Sequence, residues 1–149
     1  NADWASELMN QPRFELLSET VIEMRRRKKE EALVLIYSGG VRSGTDAARL
    51  IALGANAVVY GVAAALALGG EIGQSQIEWR SDRAPGERTD GLTSILNAHA
   101  GEASMMARCT GKTCLHNLEP EDLRSVTLAT SAATNIPVPG HNVTRARLL

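Results

Sequence analysis

Aromatic residues make up only 3% of the chain, so Ala, Leu, Val and Ile must build its core. Side chains that small suit tightly apposed helices and strands and argue against an aromatic-lined recognition surface. Cysteine is scarce too. Cys109 and Cys114 are too few for a disulfide framework, and free thiols point to a cytoplasmic protein. No apolar run approaches the length of a bilayer span, and residues 62–68 fall far short of it. Nor does one sign of charge dominate. A net charge of −1 gives no electrostatic reason to expect nucleic acid or an anionic membrane. The basic run Arg25-Arg26-Arg27-Lys28-Lys29 is followed at once by Glu30 and Glu31. It reads as a solvated helix end, where the last carbonyl groups favour cations. No signal-peptide pattern opens the chain, so export is not expected, and it does not begin with Met, so a processed product or a fragment of a longer protein is expected.

What is present is a tandem of two strand–glycine–helix units, in a chain long enough for one domain with a core. Residues 32–37 are a short, continuous, branched apolar run and read as a fully buried strand. The turn Ser38-Gly39-Gly40-Val41-Arg42-Ser43-Gly44 follows. Thr45 and Asp46 then open a helix whose apolar face carries Ala48, Leu50, Ile51 and Leu53. Gly54 stands where a C-terminal glycine should end it. The second unit is shorter: a buried strand over 57–60, then Gly61, then a small-residue helix over 62–68. Ahead of both, Phe14, Leu17, Val21 and Met24 give helical spacing over 14–29, with Pro12 at a tolerable start. This order, with short connections, predicts parallel strands and right-handed crossovers.

After residue 69 the composition changes. Residues 70–91 carry glycines, charges and a proline without periodicity and read as a surface excursion. Helical character returns from Leu92 to Arg108, with Ile95, Leu96, Met105 and Met106, and Gly111 should end it. Leu118-Glu119-Pro120-Glu121-Asp122-Leu123 reads as a helix start, with proline in the first turn and carboxylates at the positive end. Its stripe continues through Leu123, Val126 and Leu128 and should stop near Asn135. Residues 1–11 form a lead-in with Trp4, Leu8 and Met9 as candidate anchors, and residues 141–149 a loose tail.

The glycine turns suggest chemistry. Glycines at 39 and 40 remove side chains that would hold a phosphate away from main-chain N–H groups, and Ser38 adds a hydroxyl. Gly61, with the amides of Val62 and Ala63, can do the same at the start of the next helix. Glycines that merely permit tight turns are the plainer reading of one such loop, but two in tandem favour a phosphate-bearing ligand. In an eight-stranded α/β barrel the loops after the last two strands commonly form one phosphate site. Cys109, Cys114 and His116 make a Cys-x4-Cys-x-His string without a fourth ligand nearby, so ordinary thiols and a loop histidine are expected, and no metal. His99 reads as a helix-surface residue rather than a base, and Lys112 and Glu121 as structural.

The segment Leu35-Ile36-Tyr37-Ser38-Gly39-Gly40-Val41-Arg42-Ser43-Gly44-Thr45-Asp46-Ala47-Ala48 resembles the FMN-binding signature of the glutamate synthase central-domain family. So does Ala52-Leu53-Gly54-Ala55-Asn56-Ala57-Val58-Val59-Tyr60-Gly61-Val62, continuing to Gly69. Residues 107–124, with the pair Gly111-Lys112 and the Leu118-to-Leu123 start, are similar to the closing segment of the same proteins. Inosine monophosphate dehydrogenases and α-hydroxy-acid oxidases carry looser versions of the two loops. The resemblance covers residues 12–69 and 92–140. It implies α/β architecture, namely the C-terminal portion of a (βα)8 TIM-type barrel, as a single incomplete domain over residues 1–149. Residues 12–69 would supply the last helix and two βα units, and residues 92–140 the closing helices.

The resemblance also implies FMN as cofactor, with its phosphate end held by Ser38, Gly39, Gly40, Gly61 and Val62. The family usually has Thr where Val62 stands, so one hydroxyl contact of about 1 kcal/mol is lost while the amide remains. Many members follow the eighth unit with a cysteine cluster. Here Gly70 stands at its first position and residues 69–91 hold no cysteine, so no iron–sulfur cluster is expected. A whole barrel needs about 250 residues, and the missing part would carry the flavin-ring and substrate contacts. The function implied is the C-terminal part of a glutamate-synthase-like FMN-dependent oxidoreductase of glutamate biosynthesis, where 2-oxoglutarate and ammonia or an amine meet reduced flavin. Alone it would be inactive, with no catalytic residue assignable within it and the missing barrel half or a partner subunit as its complement. The alternatives are a non-catalytic, degenerate barrel module acting through a partner chain, and another nucleotide-phosphate barrel such as an inosine monophosphate dehydrogenase relative.

Overall fold

The computed structural model describes residues 14–73, 76–79 and 82–140, so the lead-in, Pro12 and the tail lie outside the described residues. The described elements are α1 (Phe14–Arg26), β1 (Ile36–Ser38), α2 (Gly44–Ala52), β2 (Ala57–Val59) and α3 (Val62–Ala67). They continue with β3 (Gly70–Ile72), β4 (Ile77–Trp79), α4 (Pro85–Cys109), two 3-10 turns (Leu115–Asn117 and Pro120–Asp122) and α5 (Leu128–Thr134). The architecture is mixed α/β.

β1 and β2 pair in parallel across the α2 connection, with Ile36 opposite Ala57 and Ser38 opposite Val59. Asn56 sets that register. Its Oδ1 accepts the Leu35 N–H at 2.7 Å, and its own N–H donates to the Leu35 carbonyl at 2.8 Å. A slip of one residue would break both bonds. The expectation of a fully buried strand over 32–37 is not met. β1 is three residues long, and Leu33, Val34 and Ile36 are exposed, Val34 at 74%. The two-stranded sheet has no further strand beside it among the described residues, so apolar residues that would suit a wider sheet face outward.

α2 is the buried centre. Leu50 and Leu53, with Val41 and Ala47, pack against Leu17 and Val21 of α1 and against Ile136. The side carrying Ala48 and Ala52 meets Ala103 and Ala107 of α4, with Leu118 closing the cluster. The expected apolar face is therefore buried, and Gly54 ends the helix at φ +111°. α1 stops at Arg26, earlier than residue 29, and Arg25, Arg26 and Arg27 are exposed. Arg26 and Arg27 both pair with Glu23, whose carboxyl they pull down to about 2.

Two expectations for the second half are corrected. Residues 70–91 are not a structureless excursion, because β3 and β4 form an antiparallel hairpin with Gly70 opposite Trp79 and Ile72 opposite Ile77. α4 then begins at Pro85, about two turns ahead of Leu92. Proline suits its first turn, and Glu87 reaches back to accept the Ala84 N–H at 3.2 Å. The single helix expected from Leu118 to Asn135 is instead two 3-10 turns and the short α5. Asp122 accepts the Glu119 N–H at 2.9 Å and pairs with Lys112 Nζ at 3.0 Å, which closes one turn on itself. The Ser125 N–H then goes to the Pro137 carbonyl at 2.9 Å, and α5 starts afresh where Thr127 Oγ1 accepts the Thr130 N–H.

The tightest contact is between α2 and α4. A Cβ added to Gly44 would lie 2.1 Å from the His99 carbonyl oxygen and 2.7 Å from the Ala103 nitrogen, both of them backbone atoms that cannot swing aside. Gly44→Ala in the intact protein is expected to cost about 3 kcal/mol, read as a lowered midpoint in denaturant unfolding. An unchanged midpoint would show that the two helices are free to separate.

Candidate functional site

Because Ser38 and Val59 are register partners at the ends of parallel strands, the two glycine loops leave the same edge of the sheet side by side. In the first loop Gly39 and Gly40 have φ of +134° and +65°, a region that residues with a Cβ rarely adopt. A Cβ on Gly39 would meet nothing within 4 Å, so the surface in front of it is open. The N–H groups of Gly40 and Val41 make no main-chain bond outside the strand ladder among the described residues, while the register directs the Gly39 N–H toward the Val59 carbonyl, and Val41 is itself buried.

The helix that follows is already capped. Ser43 Oγ accepts the Asp46 N–H at 3.1 Å, and Asp46 accepts the Arg42 N–H at 3.2 Å. Glu102 of α4 supplies the remaining acceptors. Its Oε2 takes the Gly44 N–H at 2.8 Å, and its Oε1 takes the Thr45 hydroxyl. A carboxylate thus sits at the positive end of α2, where an anion is favoured. The helix end is filled from within the protein, and Gly39 and Gly40 lie in the turn just ahead of it. In the second loop Gly61 is the N-cap of α3 without a side-chain bond, which leaves the first amides of that helix unpaired within it.

Tyr60 links the two loops. Its hydroxyl donates to the Ser43 carbonyl at 3.2 Å, and its ring lies against His99, with ring centroids 4.9 Å apart. Burial, and then the nearby charges of Glu102 and Asp46, push the phenol pKa up, so Tyr60 remains a neutral donor. His99 is therefore not the surface residue expected. It is half-buried against Tyr60, and its Nδ1 has no partner among the described residues.

Gly39 and Gly40 also line a cleft of about 580 Å³ walled by Tyr37, Leu50, Leu53, Leu123 and Val126. Arg42, Arg49 and Arg124 line it as well, with Asp46 among them. Asp46 pairs loosely with Arg42 and Arg49, at 3.5 and 3.8 Å, and Arg124 Nη1 donates to the Glu121 and Leu123 carbonyls. Of the five loop residues expected to bind, Ser38, Gly61 and Val62 lie outside this lining, and Ser38 is exposed at the end of β1. Sequence reasoning missed Glu102 because its bond to Gly44 spans 58 residues, and no local pattern announces such a pairing. Arg42 could have been found, since it stands inside the glycine turn.

The closing segment holds itself together. Lys112 Nζ sits 3.0 Å from Asp122 and 3.3 Å from Glu119, in keeping with a structural role. Cys109 and Cys114 are free and exposed, and His116 Nε2 lies 3.1 Å from the Asn56 carbonyl. Among the described residues no group of three or more His, Cys, Asp or Glu could hold a metal, and no helix is long and apolar enough to cross a membrane.

The family described as FMN-dependent dehydrogenase matches residues 13–78, a stretch that contains both glycine loops. A glutamate synthase large subunit-like protein of Rhizobium meliloti (strain 1021) is 34% identical over an alignment of 135 residues, taking in 71% of this chain. The chain belongs to the glutamate-synthase and FMN-binding family. It spans 30% of the length of that curated relative. No solved structure matches it. The family match ends within β4, so Glu102, Tyr60's partner His99 and the whole closing segment lie beyond the matched residues.

The Glu102 cap makes stability depend on pH. The Thr45 hydroxyl first, and then the Gly44 N–H, hold its carboxyl below the usual range. Its contribution is therefore complete above the unfolded carboxylate pKa and is lost as pH falls through the lowered folded value. In denaturant midpoints measured from pH ~7 down to pH ~3, Glu102→Gln is expected to flatten this acid limb. An acid limb as steep as that of the wild type would rule the cap out as its source.

Proposed function

We propose that this chain supplies the FMN-phosphate end of a (βα)8 barrel in a glutamate-synthase-like oxidoreductase. The observation that carries the reading is the parallel register that brings two glycine loops to one sheet edge, the first with two glycines at positive φ and open space before Gly39. Family membership supports FMN as the ligand. The fit is good on two counts. Gly39 has open space where a Cβ would stand, and Arg42 beside it carries the sign a phosphate needs. Gly39, Gly40, Gly61 and Val62 would hold the phosphate through main-chain donors, and Ser38 would add its hydroxyl.

FMN, when bound, supplies the electron-transfer chemistry. The residues of this chain grip and orient its phosphate end. Leu33, Val34, Ile36 and Val59, all exposed, favour docking of further strands, which would complete the sheet and bring the flavin-ring and substrate contacts. The name of the Rhizobium relative supports glutamate formation from 2-oxoglutarate and ammonia or an amine as the reaction of the whole protein. Free, exposed Cys109 and Cys114 suit a reducing, cytoplasmic setting.

The test is the flavin content of the intact purified protein. Gly39→Val and Gly40→Val each force a Cβ into a backbone region that suits glycine, and each should lower bound FMN by roughly tenfold or more. Full flavin occupancy in both variants would sink the proposal.

A further inference from the structure

Both glycine loops are tied to one short stretch of α4. Glu102 holds the first through the Gly44 N–H and the Thr45 hydroxyl. One turn earlier on the same helix face, His99 lies against the ring of Tyr60, the residue just before Gly61. The Tyr60 hydroxyl then returns to the first loop at the Ser43 carbonyl. Glu102, Gly44, Ser43, Tyr60 and His99 thus form a closed circuit through two loops and one helix. Strand pairing fixes only where the loops begin, at Ser38 and Val59. Past that edge, the circuit sets how far apart they stand. A phosphate held by both loops needs that spacing, because hydrogen bonds weaken steeply with poor distance and angle.

We propose that Glu102 and Tyr60 are positioning residues for a phosphate bound between the two loops, and that through this spacing they make the site prefer a phosphorylated flavin to an unphosphorylated one. The inference rests on the FMN-phosphate reading above. Glu102 carries the wrong charge to touch a phosphate and acts through the loop it caps. Tyr60 spends its hydroxyl on Ser43 and acts the same way.

The experiment measures affinities of the intact protein for FMN and for riboflavin, by quenching of flavin fluorescence. The wild type should prefer FMN. Tyr60→Phe and Glu102→Ala should each weaken FMN binding roughly fivefold to tenfold, the worth of a misaligned hydrogen bond or two, and leave riboflavin binding unchanged. Glu102→Gln keeps a carbonyl acceptor for the Gly44 N–H and should recover most of the loss. Tyr60→Phe preserves the ring against His99 and carries the test if Glu102→Ala does not fold. Equal losses for FMN and riboflavin, or an undiminished FMN preference in Tyr60→Phe, would overturn the proposal. A wild type that binds both flavins equally, or neither, overturns the phosphate reading itself and the proposal with it.

Discussion

The described structure depends on how closely α2 and α4 approach. Gly44 meets the α4 backbone directly, and Ala48 and Ala52 continue the seam against Ala103 and Ala107. Small residues spaced four apart let the two helices touch along their length, at the cost of burying little apolar area per residue. The gain is rigidity. A second close approach, between Gly91 of α4 and the Ala67 carbonyl of α3, extends the same helix across the second βα unit. One long helix thereby braces both units.

That seam has an electrostatic counterpart. Close approach brings the Glu102 carboxylate to the N-terminus of α2, where it neutralises donors that would otherwise attract any anion. The glycine turn ahead of the helix lies next to a cleft lined by Arg42, Arg49 and Arg124 together with Asp46. A helix end open to every anion would be less selective. Here the protein satisfies it from within, through Glu102 and Ser43.

Much of the first half was legible in the sequence because each element announces itself locally. The buried face of α2, its glycine stop and the two parallel strands all follow from periodicity and turn residues within a few positions. The glycine turns that follow the two strands were legible for the same reason. What stayed hidden depends on distance along the chain. The capping of Gly44 by Glu102 and the contact of Tyr60 with His99 join separate elements, so neither leaves a spacing pattern. Strands of three residues are too short for alternation to register, which concealed β3 and β4. In the closing segment, Asp122 and Lys112 pinned a turn where propensity alone suggested a continuous helix. The exposure of Leu33, Val34 and Ile36 was misjudged because a buried-strand pattern reports the sheet a strand belongs to, not how much of that sheet is present.

The order of residues along the chain has a consequence for synthesis. The glycine loops lie near residues 40 and 60, but the groups that fix them, His99 and Glu102, belong to a helix made later. During translation the polypeptide emerges N-terminus first at about 5–20 residues per second, and a domain folds as a unit. A nascent chain that stops short of α4 exposes both loops without their common brace. Completion of the helix, rather than of the loops, then supplies the contacts that join the two turns.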